Sequence, residues 1–442
     1  MLRSLIFRTL LTNGGITVLS LANSVLLSRW LGPTGRGEVA AAMLWPILLV
    51  YLSSMGLIIS SVYFTSLSDS KPQIVFNTAI VFGLILSAVA LPIGYLALPA
   101  LLKSQSSQVI SLSRLFLLVI PISLIAQLGT GVLQGRLQIV ELNWLRTLIP
   151  LGYLMGTLVL IILGRLLLIN ILILHLLLNT IVLFGTLKVL AKSSIYLGLH
   201  TNADLATRML KYGVTVHVGN ISGLANVNLA QVFMAAWLSP AYLGLYVVAV
   251  SAAGLSQAFS QAVQTVAIPS ITQKESKAER VAILQRIFRQ YWMISLVIAL
   301  AVGILLPVGI PLVFGIGFKS SIWPAEVLLL GSVIVGAKLV LAGGAQALGD
   351  PWLSSKAQLY AFLATIIALY FLLPAAGIMG AAVATTIAYS TELAVVIHGL
   401  RRVHSISPLE LFRFNPTDLR STLSSIGVLK AYGKRFAANG LN

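Results

Sequence analysis

The chain contains no cysteine and very little charge. Of its 442 residues, 9% are Asp, Glu, Lys or Arg, whereas 58% are hydrophobic. The lack of cysteine excludes disulfides and thiolate metal ligands. A water-soluble domain has about a quarter of its residues charged. The composition therefore excludes an ordinary soluble protein.

Acidic residues are the scarcer charged class. There are 29 Lys and Arg against 11 Asp and Glu, a formal net charge of +18. Most of the basic residues fall in alternate loops between apolar stretches, as they do in the cytoplasmic loops of membrane proteins. This distribution predicts a multi-pass protein with both termini in the cytoplasm. It explains the positive charge without a nucleic-acid partner.

Signs of enzymatic chemistry are also missing. The sequence has no Ser/His/Asp set, no cluster of metal-ligating residues and no phosphate-binding glycine loop of the Walker type. Its loops are too short to fold as separate catalytic domains. We therefore predict a transporter rather than an enzyme, without a cofactor or a metal ion.

Long apolar runs fill the chain from Leu10 to about Leu400. Backbone groups in hydrocarbon must bond within their own segment, and the runs lack the alternating pattern of barrel strands. We predict an all-α integral membrane protein with about twelve transmembrane helices, each near twenty residues long. The first of them, which lacks a small-residue cleavage site, is expected to be retained.

Two segments of the chain are similar. Residues 30–37 (WLGPTGRG) match residues 237–244 (WLSPAYLG) at one constant offset, and each copy follows an apolar run. An even number of predicted spans separates the copies, so the halves are predicted to be parallel repeats related by an axis along the membrane normal. Such halves form two six-helix lobes around a central cavity, which alternating access would open to each side in turn.

The repeat sets the predicted domain boundaries. They are an N-terminal lobe at 1–190, a cytoplasmic linker at 191–211, a C-terminal lobe at 212–404 and a cytoplasmic tail at 405–442.

Lys338 and Glu392 are the ionisable residues deepest in the predicted spans. Placing an ionisable side chain at that depth in the membrane costs at least about 2.5 kcal/mol, so each of the two should face a cavity or a partner. Lys338 is a candidate for substrate binding and Glu392 for ion coupling. The alternatives are that the two residues pair with each other, or that Glu392 is protonated against a neighbouring helix.

Arg29 is a second candidate for substrate binding. The second copy of the repeat has Ala236 at the equivalent position, so the duplicated architecture does not require a charge there. Turned inward, its planar guanidinium would suit a phosphate or a sugar carboxylate. The alternative is an interfacial arginine that extends to the outer headgroups.

Uncharged polar residues are dense on the first and seventh predicted spans. The candidates for a polar cavity wall that binds a hydroxyl-rich substrate are Asn13, Asn23, Asn220, Asn226 and Gln231. Hydrogen bonding between helices is the alternative explanation for such residues in a membrane.

Four short motifs resemble a known family. They are residues 28–38 (SRWLGPTGRGE), 131–135 (GVLQG), 211–213 (KYG) and 238–246 (LSPAYLGLY). Together they are similar to bacterial polysaccharide and oligosaccharide flippases, the lipid-linked oligosaccharide transporters. These belong to the superfamily of multidrug, oligosaccharidyl-lipid and polysaccharide exporters.

The resemblance implies a specific function. It implies a flippase that moves an undecaprenyl-pyrophosphate-linked oligosaccharide from the cytoplasmic to the external leaflet of a bacterial inner membrane, for lipopolysaccharide or another surface polysaccharide. Arg29 and Lys338 are then the candidates for attracting the pyrophosphate. The implied partners are the lipid-linked glycan, membrane lipids, a polysaccharide polymerase and glycosyltransferases.

Two other functions remain open at this point. Drug exporters of the superfamily often carry a carboxylate in the first helix. Here that helix has none, but Glu392 keeps a cation-coupled multidrug exporter possible. A non-transporting membrane scaffold is the third option. Flippases of the lipid II branch carry more arginines on their first two helices, which favours a surface-polysaccharide unit over a peptidoglycan precursor.

Overall fold

The structure is a computed structural model that describes residues 2–67, 69, 71–198, 200–254, 259–260, 263, 271–272 and 275–413, with the main chain alone for residues 2–8, 10 and 218–227. These residues form thirteen α-helices and no strand. In chain order, α1 to α13 are Leu2–Ser53, Leu57–Ser66, Pro72–Leu101, Ser107–Phe116, Val119–Gly135, Ile139–Ile162, Leu168–Lys192, Ala203–Trp237, Pro240–Ala253, Lys277–Phe314, Ile322–Ala347, Trp352–His404 and Pro408–Phe412. A 3-10 helix, Ile316–Ser321, precedes α11.

Most of these helices have the length and composition of membrane spans. Among the described residues, eight helical segments are long and apolar enough to cross a bilayer. The predicted all-α membrane fold is therefore confirmed. The segments Leu11–Ser53 and Trp352–His404 contain 43 and 53 residues, each enough for two crossings. The total of twelve spans stays a prediction.

The two longest helices are kinked at a glycine. Gly32 in α1 has φ 65° and ψ −176°, and Gly377 in α12 has φ 55° and ψ −130°. L side chains rarely adopt a positive φ, so glycine suits both positions. Each kink joins two helical spans without a loop.

The helix α8 begins earlier than the sequence analysis predicted. The side chain of Asn202 accepts a hydrogen bond from the main-chain N–H of Leu205 at 2.9 Å, and Asp204 lies in the first turn. Both are favourable at a helix N-terminus. The last part of the predicted linker, 191–211, is therefore the first turns of α8.

The chain packs into two compact units. The first comprises Met1–Ala252, Leu306–Leu328 and Phe362–Thr385, and the second Ala253–Leu305, Leu329–Ala361 and Thr386–Asn442. These units do not follow the predicted lobe boundaries, so the two-lobe division stays a prediction.

Each unit has its own apolar core. In the first unit, Phe76 and Ile80 of α3 pack with Val132 and Leu133 of α5. In the second, a larger core is formed by buried residues that include Leu284, Phe288, Tyr291, Leu341 and Val396. These cores hold the helices that carry the polar residues discussed below.

The two copies of the repeated segment touch each other within the first unit. A Cβ atom built on Gly37 would lie 1.7 Å from the carbonyl oxygen of Pro240, and one on Gly244 would lie 2.0 Å from that of Pro33. The contact is reciprocal, as expected for two equivalent segments that meet across a two-fold axis. No side chain fits at either glycine unless the backbones separate. We call this the Gly37–Gly244 contact.

A second backbone contact joins the first unit's α2 to α8. A Cβ atom on Gly56 would lie 2.1 Å from the carbonyl oxygen of Gly213. The hydroxyl of Ser60 donates to the carbonyl of Met209 at 2.7 Å. The chain from Gly37 to Gly56 is thus held near both of its ends, by the second copy of the repeat at Gly37 and by α8 at Gly56.

Candidate functional site

A cavity of about 440 Å³ lies in the first unit. Helices α1, α6, α8 and α9 form its walls. Its volume is in the range of small-molecule sites, about 300 to 1,000 Å³. The polar residues that line it are Ser20, Asn23, Ser24, Arg36, Tyr51, Tyr153, Asn228 and Gln231.

The kink in α1 places both halves of this helix on the cavity. Residues from Ser20 to Leu27 line it before Gly32, and residues from Arg36 to Tyr51 line it after. Helix α8 contributes Asn228 and Gln231, which are three residues apart and so share one helix face. The wall combines amide, hydroxyl and guanidinium groups.

Arg36 is the cation of this cavity. Its Nε atom is buried, and no hydrogen-bond partner for that atom occurs among the described residues. The described part of the chain offers no carboxylate to this guanidinium either. A buried charge without a partner is strongly unfavourable. A guanidinium placed in this way can bind an anionic ligand through two parallel hydrogen bonds.

Asn23 adds an unused acceptor. It is 5% exposed, and its buried Oδ1 has no hydrogen-bond partner within the described residues. Gln231 lies on the same cavity wall. The structure thus brings together two of the residues predicted to bind substrate. A carbonyl acceptor beside a guanidinium can receive a hydroxyl group attached to a bound anion.

Arg29 lies elsewhere. Its Nε donates to the carbonyl of Val313 at 2.7 Å, and its Nη2 donates to the carbonyl of Leu312. The last carbonyls of a helix lack partners within the helix, and the dipole favours a cation there. Arg29 is exposed and caps the end of α10. It does not line the cavity, so its predicted part in substrate binding stays untested.

Asn13 does not line this cavity. Asn13 accepts a hydrogen bond from Nη2 of Arg146 at 3.2 Å. The side chains of Asn220 and Asn226 lie outside the described residues.

Lys338 and Glu392 form an ion pair in the second unit. The Nζ of Lys338 is 3.0 Å from Oε1 of Glu392, and the side chains are 7% and 3% exposed. Of the alternatives that the sequence left open, the structure shows pairing. The pair is electrically neutral and provides each charge with a fixed counter-ion. Substrate binding by Lys338 and ion coupling by Glu392 would require this pair to open.

Substitutions in the Lys338–Glu392 pair distinguish a role in protein stability from a role in ion coupling. We expect Lys338→Met or Glu392→Gln alone to lower the free energy of unfolding by about 3–5 kcal/mol, because each leaves a buried charge unpaired. The double variant should regain most of this loss. Thermal unfolding in detergent measures the effect. Normal export by the double variant would count against ion coupling through Glu392, whereas a stable double variant without export would support it.

Arg36 was not among the residues predicted to bind substrate. A signal was available: the residue equivalent to Arg36 in the second copy of the repeat is Leu243, which is fully buried. Arg29 was singled out because its charge is replaced by an apolar residue in the other copy of the repeat. The same is true of Arg36.

A family model described as "Polysaccharide biosynthesis protein" matches residues 26–322 of the chain. The chain belongs to this family. The match covers the Gly37–Gly244 contact and most of the cavity wall, including Arg36. It confirms the resemblance that the short motifs indicated.

A curated relative is similar in half of its length. The probable low-salt glycan biosynthesis flippase Agl15 of Haloferax volcanii is 26% identical over 249 residues, which cover 54% of this chain and 50% of the relative. The chain therefore spans about half the length of the curated relative that it matches.

Solved transporter structures share the fold. The lipid II flippase MurJ in an inward closed conformation matches with a TM-score of 0.75 at 14% identity, over 98% of this chain and 99% of that one. An inward-facing multidrug resistance MATE family transporter of the MOP superfamily matches with a TM-score of 0.74 at 14% identity, over 88% and 95%. At such low identity the likeness shows the fold alone.

Proposed function

We propose that this protein is a flippase that moves a pyrophosphate-linked oligosaccharide across the membrane for polysaccharide assembly. The observation that carries the proposal is Arg36, a partly exposed cation on the cavity wall whose Nε atom is buried without a hydrogen-bond partner and which has no carboxylate partner among the described residues. Membership of the polysaccharide biosynthesis family supports a glycan as the cargo.

In this proposal the cavity lowers the energy barrier to moving a charged headgroup through the membrane. A pyrophosphate in hydrocarbon would cost tens of kcal/mol, because it loses its hydration. Arg36 replaces part of that hydration with charge-assisted hydrogen bonds. Asn23 and Gln231 supply acceptors and donors for the first sugar. The lipid chain stays in the bilayer, and the rest of the glycan extends beyond the cavity.

The Gly37–Gly244 contact is the proposed external closure. It lies at the end of the first span opposite the N-terminus, which the charge distribution assigns to the cytoplasm. Release to the outside then requires the two copies of the repeat to separate. The Gly56–Gly213 contact lies at the other end of the cavity and would open for loading. Alternating between these contacts gives alternating access.

The finer assignments follow from the resemblance. We propose undecaprenyl pyrophosphate as the carrier, the bacterial inner membrane as the location with both termini cytoplasmic, and a polysaccharide polymerase and glycosyltransferases as partners. The cargo is proposed to be a surface-polysaccharide unit, with lipopolysaccharide among the products.

Reconstitution tests the proposal. The purified chain is placed in liposomes whose lipid-linked oligosaccharide is labelled, and the fraction accessible to an external glycosidase is followed with time. We expect accessibility to rise with the protein and not in protein-free liposomes. A parallel assay follows ethidium efflux. Efflux without glycan movement would favour the multidrug exporter, and neither activity would favour the scaffold.

A further inference from the structure

A second hollow in the first unit lies at the seam between α1 and α6. It is a groove of about 390 Å³, separate from the cavity that contains Arg36. Leu11 and Trp144 on its walls are 61% and 63% exposed, so two large apolar side chains lie at the surface of the first unit. The residues that line it are Leu11, Thr12, Val140, Asn143, Trp144 and Thr147.

Asn143 offers this groove an unsatisfied acceptor. The residue is 7% exposed, and its Nδ2 donates to the hydroxyl of Thr9 at 3.2 Å. Its buried Oδ1 has no partner within the part of the chain that the structure describes. A buried carbonyl without a donor costs about 1–3 kcal/mol. A ligand that brings a hydroxyl or amine would relieve this cost.

Arg146 supplies a cation one helical turn further along α6. Its Nη2 donates to Oδ1 of Asn13 at 3.2 Å, across the same seam. Within the described residues it meets no carboxylate, and a guanidinium has further N–H donors to offer. Residues three apart on a helix are neighbours, about 5–6 Å between Cβ atoms. An anion at Arg146 and a donor group at Asn143 can therefore belong to one headgroup.

The seam leads towards the cavity. Helices α1 and α6 line both hollows, through Leu11 and Asn143 at the groove and through Ser20 and Tyr153 at the cavity. With a rise of 1.5 Å per residue, the two levels are roughly 14 Å apart along these helices. Arg146 lies on α6 between Asn143 of the groove and Tyr153 of the cavity, in the stretch of helix that joins the two hollows.

We propose that this groove is a loading site where the lipid-linked sugar phosphate docks from the bilayer before it reaches the cavity. The apolar chain lies against Leu11 and Trp144, the phosphate binds Arg146, and a hydroxyl of the first sugar donates to Oδ1 of Asn143. The inference rests on the proposed function, and it adds an access route within the first predicted lobe. In this proposal Arg146 binds the phosphate before Arg36 does.

Photo-crosslinking tests the loading site. The full chain, with p-benzoylphenylalanine in place of Trp144, is reconstituted in nanodiscs that contain phospholipid and either a polyprenyl pyrophosphate-linked sugar or the sugar-free polyprenyl phosphate. We expect the crosslink to the lipid-linked sugar to exceed that to the sugar-free lipid. Arg146→Gln should lower it about tenfold, which corresponds to the loss of one hydrogen bond to a charged group. Asn143→Leu should remove the preference for the sugar.

Two further variants keep the outcome interpretable. Arg114→Gln is the matched control, since Arg114 is also an arginine that bonds a carbonyl, that of Tyr95, at a position away from the groove; it should leave the crosslink unchanged. Arg36→Gln should retain the crosslink while blocking translocation. The loading-site proposal would be wrong if the p-benzoylphenylalanine in place of Trp144 crosslinked only to phospholipid. It would also be wrong if Arg146→Gln left the crosslink unchanged in a chain that flips glycan. A chain that crosslinks as expected but flips nothing would count against the proposed function instead.

Discussion

Replacement of Arg36 by glutamine should lower glycan export roughly ten- to hundredfold, since a hydrogen bond to a charged group contributes about 1.5–3 kcal/mol. Arg36 is the cation that lines the cavity in the described structure, and glutamine keeps a donor but removes the charge. Export is measured by complementation in cells that lack the transporter and by the liposome assay. Arg36→Lys keeps the charge but not the planar fork, so it should retain part of the activity.

The thermal stability of the variant distinguishes a loss of substrate binding from a loss of folding. The charge of Arg36 is partly buried and has no carboxylate partner among the described residues, so Arg36→Gln should maintain or raise the thermal unfolding midpoint of the ligand-free protein. The matched control is Arg29→Gln, which removes the cap on α10 but no group from the cavity. We expect its export to remain near normal. Normal export by Arg36→Gln together with loss in Arg29→Gln would instead support the original prediction for Arg29.

The second large effect is expected at the Gly37–Gly244 contact. In Gly37→Leu the new side chain would start 1.7 Å from the carbonyl oxygen of Pro240, so the two backbones must separate. Overpacking of this kind costs about 1–3 kcal/mol. If the contact closes the external side, that energy shifts the population towards the outward-open state by roughly 5- to 150-fold. Export should fall because the carrier no longer closes to the outside.

The absence of cysteine makes this shift directly measurable. Asn23→Cys introduces a single thiol on the cavity wall, and its labelling by a membrane-impermeant maleimide from outside reports opening. We expect faster labelling in the Gly37→Leu and Gly244→Leu backgrounds. Gly309→Leu is the control, because a Cβ atom at Gly309 meets nothing within 4 Å. Equal labelling rates in all backgrounds would show that the contact is not a closure.

Hydropathy and residue repetition were sufficient to predict much of the fold. The all-α membrane class follows from the apolar runs, and the relation between residues 30–37 and 237–244 is matched by their reciprocal packing. Asn23 and Gln231 could be placed on a polar wall because amides are scarce in lipid-facing helices.

The direction of individual charged side chains could not be predicted in the same way. Arg29 and Arg36 lie on either side of Gly32, and the positive φ at this glycine changes the helix direction between them. A hydropathy pattern predicts how deep a residue lies in the membrane. It does not predict the direction in which a side chain points after such a kink. Lys338 and Glu392 posed a related problem, because their pairing depends on the relative register of α11 and α12. That register is set by packing in the second unit's core.

The neutrality of the Lys338–Glu392 pair has an electrical consequence. A pair with no net charge performs no electrical work when its helices shift in the transmembrane field, so it contributes nothing to voltage dependence. In the proposed transport cycle, the moving charge is then that of the cargo plus Arg36, at about 2.3 kcal/mol per elementary charge for each 100 mV crossed. In a cell with a negative interior, an anionic load is driven outward, and the unoccupied arginine is drawn back.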